Sequence, residues 1–130
     1  MLDSVWRVME LDFNALKFIE DYKIENVNTV FIQGEESRPG KINEKSGFNV
    51  SISSNESSKD HIDNIQKFIN TNERALSYLL KNDFRSSIDI GCSLDLNSFT
   101  KSVTINPNLL GLLNKYNIDL VFSTYPMSNE

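Results

Sequence analysis

Apolar and polar positions along the chain change period several times, and each change predicts an element. From Ser4 to Leu11, apolar residues (Val5, Trp6, Val8, Met9, Leu11) occupy both faces, as in a covered strand. Leu16, Ile19 and Tyr22 then fall at helical spacing, predicting a short helix from about Asn14 to Tyr22, with Asp12 as its cap and Phe13 placed for a hydrophobic staple. Asn28 to Gln33 is rich in β-branched residues and reads as a second strand ending at Gly34. Glu35 to Gly47 is charged and holds Pro39-Gly40, the composition of a solvated loop. Phe48 to Ser54 alternates, with Phe48, Val50 and Ile52 on one face and Asn49, Ser51 and Ser53 on the other.

The strongest helical stripe follows, from about Lys59 to Lys81, through Ile62, Ile65, Phe68, Ile69, Ala75, Leu76, Leu79 and Leu80. The polar run Asn70-Thr71-Asn72 is the one place where it could divide. Phe84 to Cys92 alternates again, with Ile88, Ile90 and Cys92 inward and Arg85, Ser87 and Asp89 outward. Lys101 to Ile105 reads as a short strand. Asn106-Pro107 is a helix start, and the helix runs to about Tyr116 with Asn117 beyond it. Ile118 to Thr124 is a last strand, and Met127 to Glu130 is expected to fray.

The resulting order is β-α-β-β-α-β-β-α-β. Strands with one wet face predict an α+β domain, a mainly antiparallel sheet with helices packed on one side and an open polar face on the other. Candidates for that face are Asn49, Ser51, Ser53, Arg85, Ser87, Asp89, Ser102, Thr104, Asp119 and Ser123. A length of 130 residues fits one domain, with its core between about residues 4 and 126.

Composition narrows the chemistry. One Cys excludes an internal disulfide, and one His with one Cys cannot form a His/Cys zinc site within a single chain. A net charge of -5 argues against nucleic acid as the main partner. There is no apolar run long enough to span a membrane, and no basic start with an apolar stretch, so no membrane partner is expected and the cytoplasm is the expected compartment. No Gly-x-Ser-x-Gly elbow, Walker motif or Rossmann spacing occurs. His61, beside Asp60 and Asp63 in a first helical turn, reads as an exposed residue; Cys92 and Trp6 read as core. No catalytic residue, metal site or cofactor is therefore expected. Asp89 and Asp119 fall on one predicted face; such a pair could serve glycoside hydrolysis or hold a hard cation, but in a chain with 18 acidic residues adjacency by chance is common.

Four segments stand together: Val30-Phe31-Ile32-Gln33-Gly34-Glu35; Phe48-Asn49-Val50-Ser51-Ile52 before a long helix; Ile88-Asp89-Ile90-Gly91; and Asn114 to Tyr125, where Ile118-Asp119-Leu120 leads into Ser123-Thr124-Tyr125-Pro126. This layout, from about Ser4 to Pro126, resembles the bacterial domain of unknown function 4279 family. The resemblance implies a small bacterial α+β protein and carries over no catalytic residue. Some small acidic proteins of this kind look like immunity proteins encoded beside secreted toxins. The expectation is a non-catalytic binding protein that neutralises a bacterial toxin, such as a basic nuclease, by direct contact through Glu35, Glu36, Asp89, Asp95 and Asp119. The alternatives are a housekeeping or self-associating structural domain, and a small enzyme using an acidic pair.

Overall fold

The computed structural model describes residues 1–94 and 102–126. Seven strands and four helices are present among them: β1 (Leu2–Glu10), α1 (Ala15–Tyr22), β2 (Val27–Phe31), β3 (Glu36–Arg38), β4 (Lys41–Ile42), β5 (Ser46–Asn55), α2 (Ser58–Thr71), α3 (Glu73–Lys81), β6 (Ser86–Leu94), α4 (Pro107–Lys115) and β7 (Ile118–Pro126). Five strands form the main sheet in the order β2-β5-β1-β6-β7. All neighbours are antiparallel except β6 and β7, which run parallel because α4 returns the chain to the start of the sheet. The expected α+β architecture is present.

Alternation along the strands sends one set of side chains under the helices. Leu2, Trp6, Val8, Phe48, Val50, Ile88, Ile90 and Ile118 are buried there against Phe18, Ile62, Ile65, Ile69, Leu76, Leu79, Leu109 and Leu113 in one continuous core. Aromatic rings make its centre. Trp6 lies edge-on to Phe48 at 5.3 Å and to Phe68 at 5.5 Å, and Phe18 stacks on Phe48 at 5.7 Å.

Several local expectations need correction. The cap of α1 is Asn14, whose side chain accepts from the Lys17 N–H at 3.1 Å; Asp12 instead takes a left-handed backbone, and its own N–H donates to Gln33. The buried stripe of α1 is Ala15 and Phe18, flanked by Ile19 and Tyr22, and Leu16 faces solvent. The long helix does divide, at Asn72, whose side-chain amide donates to the Phe68 carbonyl at 2.9 Å and competes with the backbone ladder. The charged loop contains the β3–β4 hairpin, turned at Pro39-Gly40 with Gly40 at φ +80°. Pro followed by a glycine of positive φ is the signature of a type II turn, which was legible in the sequence.

The strand expected at residues 101–105 is not a strand over its described part, residues 102–105. Once β7 pairs parallel with β6, the connection must cross the helical face, so Val103 and Ile105 pack on the core from that side. Ser102 and Thr104 accordingly line a groove with Ser58, Lys59 and Asp63 of α2 and do not join the open sheet face. Ser53 also leaves that face. The β1–β5 register slips between Ser4 and Val5, and Ile52 is the extra residue, so Ser53 turns toward α2.

Candidate functional site

Among the described residues no helix packs on the second face of the sheet, and β1, β6 and β7 build its charged part. The register places Asp3 beside Gly91, Val5 beside Asp89 and Arg7 beside Ser87 on β1–β6. On β6–β7 it places Ser87 beside Asp119, Asp89 beside Val121 and Gly91 beside Ser123. Asp3, Arg7, Asp89, Asp119, Ser123 and Tyr125 therefore share one surface.

Each of the three carboxylates there is held by a donor. Asp89 Oδ2 accepts from Arg7 Nη1 at 3.1 Å and from the Ser123 hydroxyl at 3.0 Å. Only 13% of the Asp89 side chain is exposed, and its other oxygen, Oδ1, is buried with no partner among the described residues. Asp119 accepts from Arg85 Nη2 at 2.7 Å, and both side chains of that pair are more than half exposed. Asp3 accepts from the Tyr125 hydroxyl at 2.6 Å. That bond favours the neutral phenol and raises the Tyr125 pKa above its ordinary value, with minor help from burial. Gly91 makes the approach possible: a Cβ there would stand 2.6 Å from Asp3 Oδ1 and 3.3 Å from Tyr125 Cε1.

The five acids expected at a contact surface do not form one cluster. Asp89 and Asp119 lie together on β6 and β7. Glu35 and Glu36 lie beyond the opposite edge, where the β3–β4 hairpin hangs from the end of β2 through Gly34 N–H to Asn43 O at 2.9 Å. Three strand spacings separate β2 from Asp89 on β6 and four separate it from Asp119 on β7, roughly 14 and 19 Å. Asp95 lies outside the described residues. Asp3 and Tyr125 were missed, because the strands were drawn from Ser4 and to Thr124; extending the same alternation by one residue at each end finds both.

His61 is not the exposed residue that its acidic neighbours suggested. It is fully buried under β1. Its Nε2 is hydrogen-bonded to the Ser4 hydroxyl, and its Nδ1 lies 3.0 Å from Asn55 Oδ1. Ser53 and Asn64 also donate to Asn55 Oδ1, so the amide oxygen is the shared acceptor. Burial lowers the His61 pKa below its usual 6.5, and the Asp3 carboxylate opposes this less strongly. Hydroxyl, imidazole and amide stand in the order of a nucleophilic triad. Ser4 and His61, however, are 2% and 0% exposed, so the network closes a polar gap inside the core and presents no nucleophile to a substrate. Cys92 is half-buried at the core margin, close to its expected place.

Glu35 and Glu36 line a groove of about 240 Å³ with Val30 and Asn43, and two larger grooves lie elsewhere. One of about 380 Å³ is lined by Tyr22, Asn26, Ile52, Lys67 and Phe68, and one of about 420 Å³ by Ser58, Ile62, Ser102 and Asn106. Neither includes Asp89 or Asp119. No helix among the described residues is long and apolar enough to cross a membrane. Comparison with family models, curated proteins and solved structures finds no match to the chain.

Proposed function

We propose that this chain is a non-catalytic protein-binding domain, acting as an immunity protein that neutralises a bacterial toxin by direct contact, and that the partner docks on the open face of β1, β6 and β7. The supporting observation is that face itself. No helix among the described residues covers it, and its three carboxylates are fixed by Arg7, Ser123, Arg85 and Tyr125. Side chains already held in place lose little entropy on binding. The resemblance to the domain of unknown function 4279 family is consistent with this reading and contributes no site residue.

A toxin that grips phosphate carries a basic surface. A partner with net charge -5 meets it faster than a neutral one, and local carboxylates set the docked orientation. Asp119, more than half exposed, is the central contact in this reading, with the largely buried Asp89 beside it, and Asp95 is kept as a contact on its sequence position alone. Glu35 and Glu36 are peripheral contacts. A standard footprint of about 800 Å² per partner is roughly 30 Å across, wide enough to reach both groups.

The test is co-expression with the product of the adjacent gene, followed by association kinetics at several salt concentrations. The expected result is a stable complex whose association rate falls about tenfold in Asp119→Lys and falls with added salt. Absence of a complex overturns the function. A complex indifferent to both Asp119→Lys and salt overturns the electrostatic docking face.

A further inference from the structure

The two edges of the main sheet are built differently. β2 has five residues, a register slip between Val27 and Thr29, and the β3–β4 hairpin hanging from its end. Short length, irregular pairing and covering segments are the ordinary protections of a sheet edge. β7 has none of them among the described residues. It is nine residues long, pairs with β6 from Ile118 to Pro126 without a break, and has no other strand beside it among the described residues. It contains no Lys or Arg, and its only charge is Asp119. Its sequence Leu120-Val121-Phe122-Ser123-Thr124-Tyr125 has high β-propensity. Val121, Phe122 and Tyr125 remain 40%, 55% and 42% exposed.

We infer that the free edge of β7 is a self-association surface, on which a second copy of the chain pairs antiparallel through its own β7 and joins two five-stranded sheets into one. The identity of the occupant follows from the strand's self-complementarity. A two-fold axis that keeps helices on the same side of the joined sheet must pair residues of the same face, so it must pass through a residue. The register that uses all nine residues places that axis at Phe122. Ile118 then opposes Pro126, Asp119 opposes Tyr125, Leu120 opposes Thr124, Val121 opposes Ser123, and Phe122 opposes its own copy. The most exposed aromatic ring of the strand is covered by its mate. The two Asp119 side chains stand six positions apart, roughly 20 Å, whereas a register centred on Asp119 would set them face to face. The like net charge of the two copies works against association, so added salt strengthens the dimer.

The experiment is light scattering on the full chain from low micromolar to millimolar concentration, at low and high salt. The expected result is a monomer–dimer equilibrium shifted toward dimer by salt. Phe122→Lys, which sets two ammonium groups on the axis and replaces an exposed side chain, weakens the dimer at least about tenfold while circular dichroism stays native. In a Cys92→Ser background, Phe122→Cys cross-links on oxidation, because directly opposed Cβ atoms lie about 4.5–5.5 Å apart. Thr124→Cys does not, because its copy is roughly 13 Å away. A monomer at every concentration overturns the inference. So does a dimer that survives Phe122→Lys, or one in which Thr124→Cys cross-links as fast as Phe122→Cys. None of these variants touches Asp89 or Asp119, so failure here leaves the toxin-docking test to stand or fall separately.

Discussion

The buried imidazole of His61 makes folding stability depend on pH. His61 is the only histidine of the chain. Its neutral form is the one that fits: Nδ1–H donates to Asn55 Oδ1, and Nε2 accepts from the Ser4 hydroxyl. Protonation would put a second N–H against Ser4 and a charge in a site closed to water, which is why burial holds the native pKa below 6.5. As pH falls, the unfolded chain therefore binds the proton first. The stability contributed by neutral His61 is complete above pH 6.5 and is lost as pH falls from there toward the lowered native value. While native His61 stays neutral, the slope approaches 1.4 kcal/mol per pH unit, a large share of the roughly 5–15 kcal/mol that holds a small domain together. Urea denaturation between pH 7.5 and 5 reads it directly, since Trp6 is the only tryptophan and is fully buried. His61→Gln keeps a polar side chain and titrates nothing; it should be less stable at pH 7.5 by about 1–3 kcal/mol and flat across the window. A flat wild-type profile, or the same slope in His61→Gln, would refute the assignment.

Two further stability changes follow from the same structure. Gly47→Ala would place a Cβ 1.8 Å from the Val8 carbonyl oxygen and 2.6 Å from Met9 Sδ, so the β1–β5 ladder must open; we expect a loss of about 3 kcal/mol, measured by the urea midpoint, and a loss under 1 kcal/mol would contradict the packing. Asn106→Ala removes the oxygen that accepts from Leu109 N–H at 2.8 Å at the start of α4, and should cost about 1 kcal/mol, with Asn106→Asp recovering most of it in the same assay.

Part of this protein was legible from side-chain period alone. Alternation at Phe48–Ser51 and Ser86–Cys92 sorted core from open face without any knowledge of neighbours, because a strand has only two faces. The Asn106-Pro107 start of α4 was equally local, resting on one side-chain oxygen and a proline that needs no N–H partner. Asp89 and Asp119 were placed on one face for the same reason.

What the local pattern could not decide was which segments become neighbours. The slip that turns Ser53 toward α2 exists only because β1 and β5 pair in that register. That the described part of the strand expected at 101–105, residues 102–105, is not a strand follows from β7 choosing β6 as a parallel partner, a choice between whole strands. His61 shows the limit most clearly. Its flanking aspartates marked it as wet, yet its position one turn into α2 aims it at Ser4, 57 residues away, where burial and two hydrogen bonds outweigh the character of its sequence neighbours. Periodicity along one element determined which way each side chain points. Only the packing of that element on distant ones decided whether it points into water, a donor or the core.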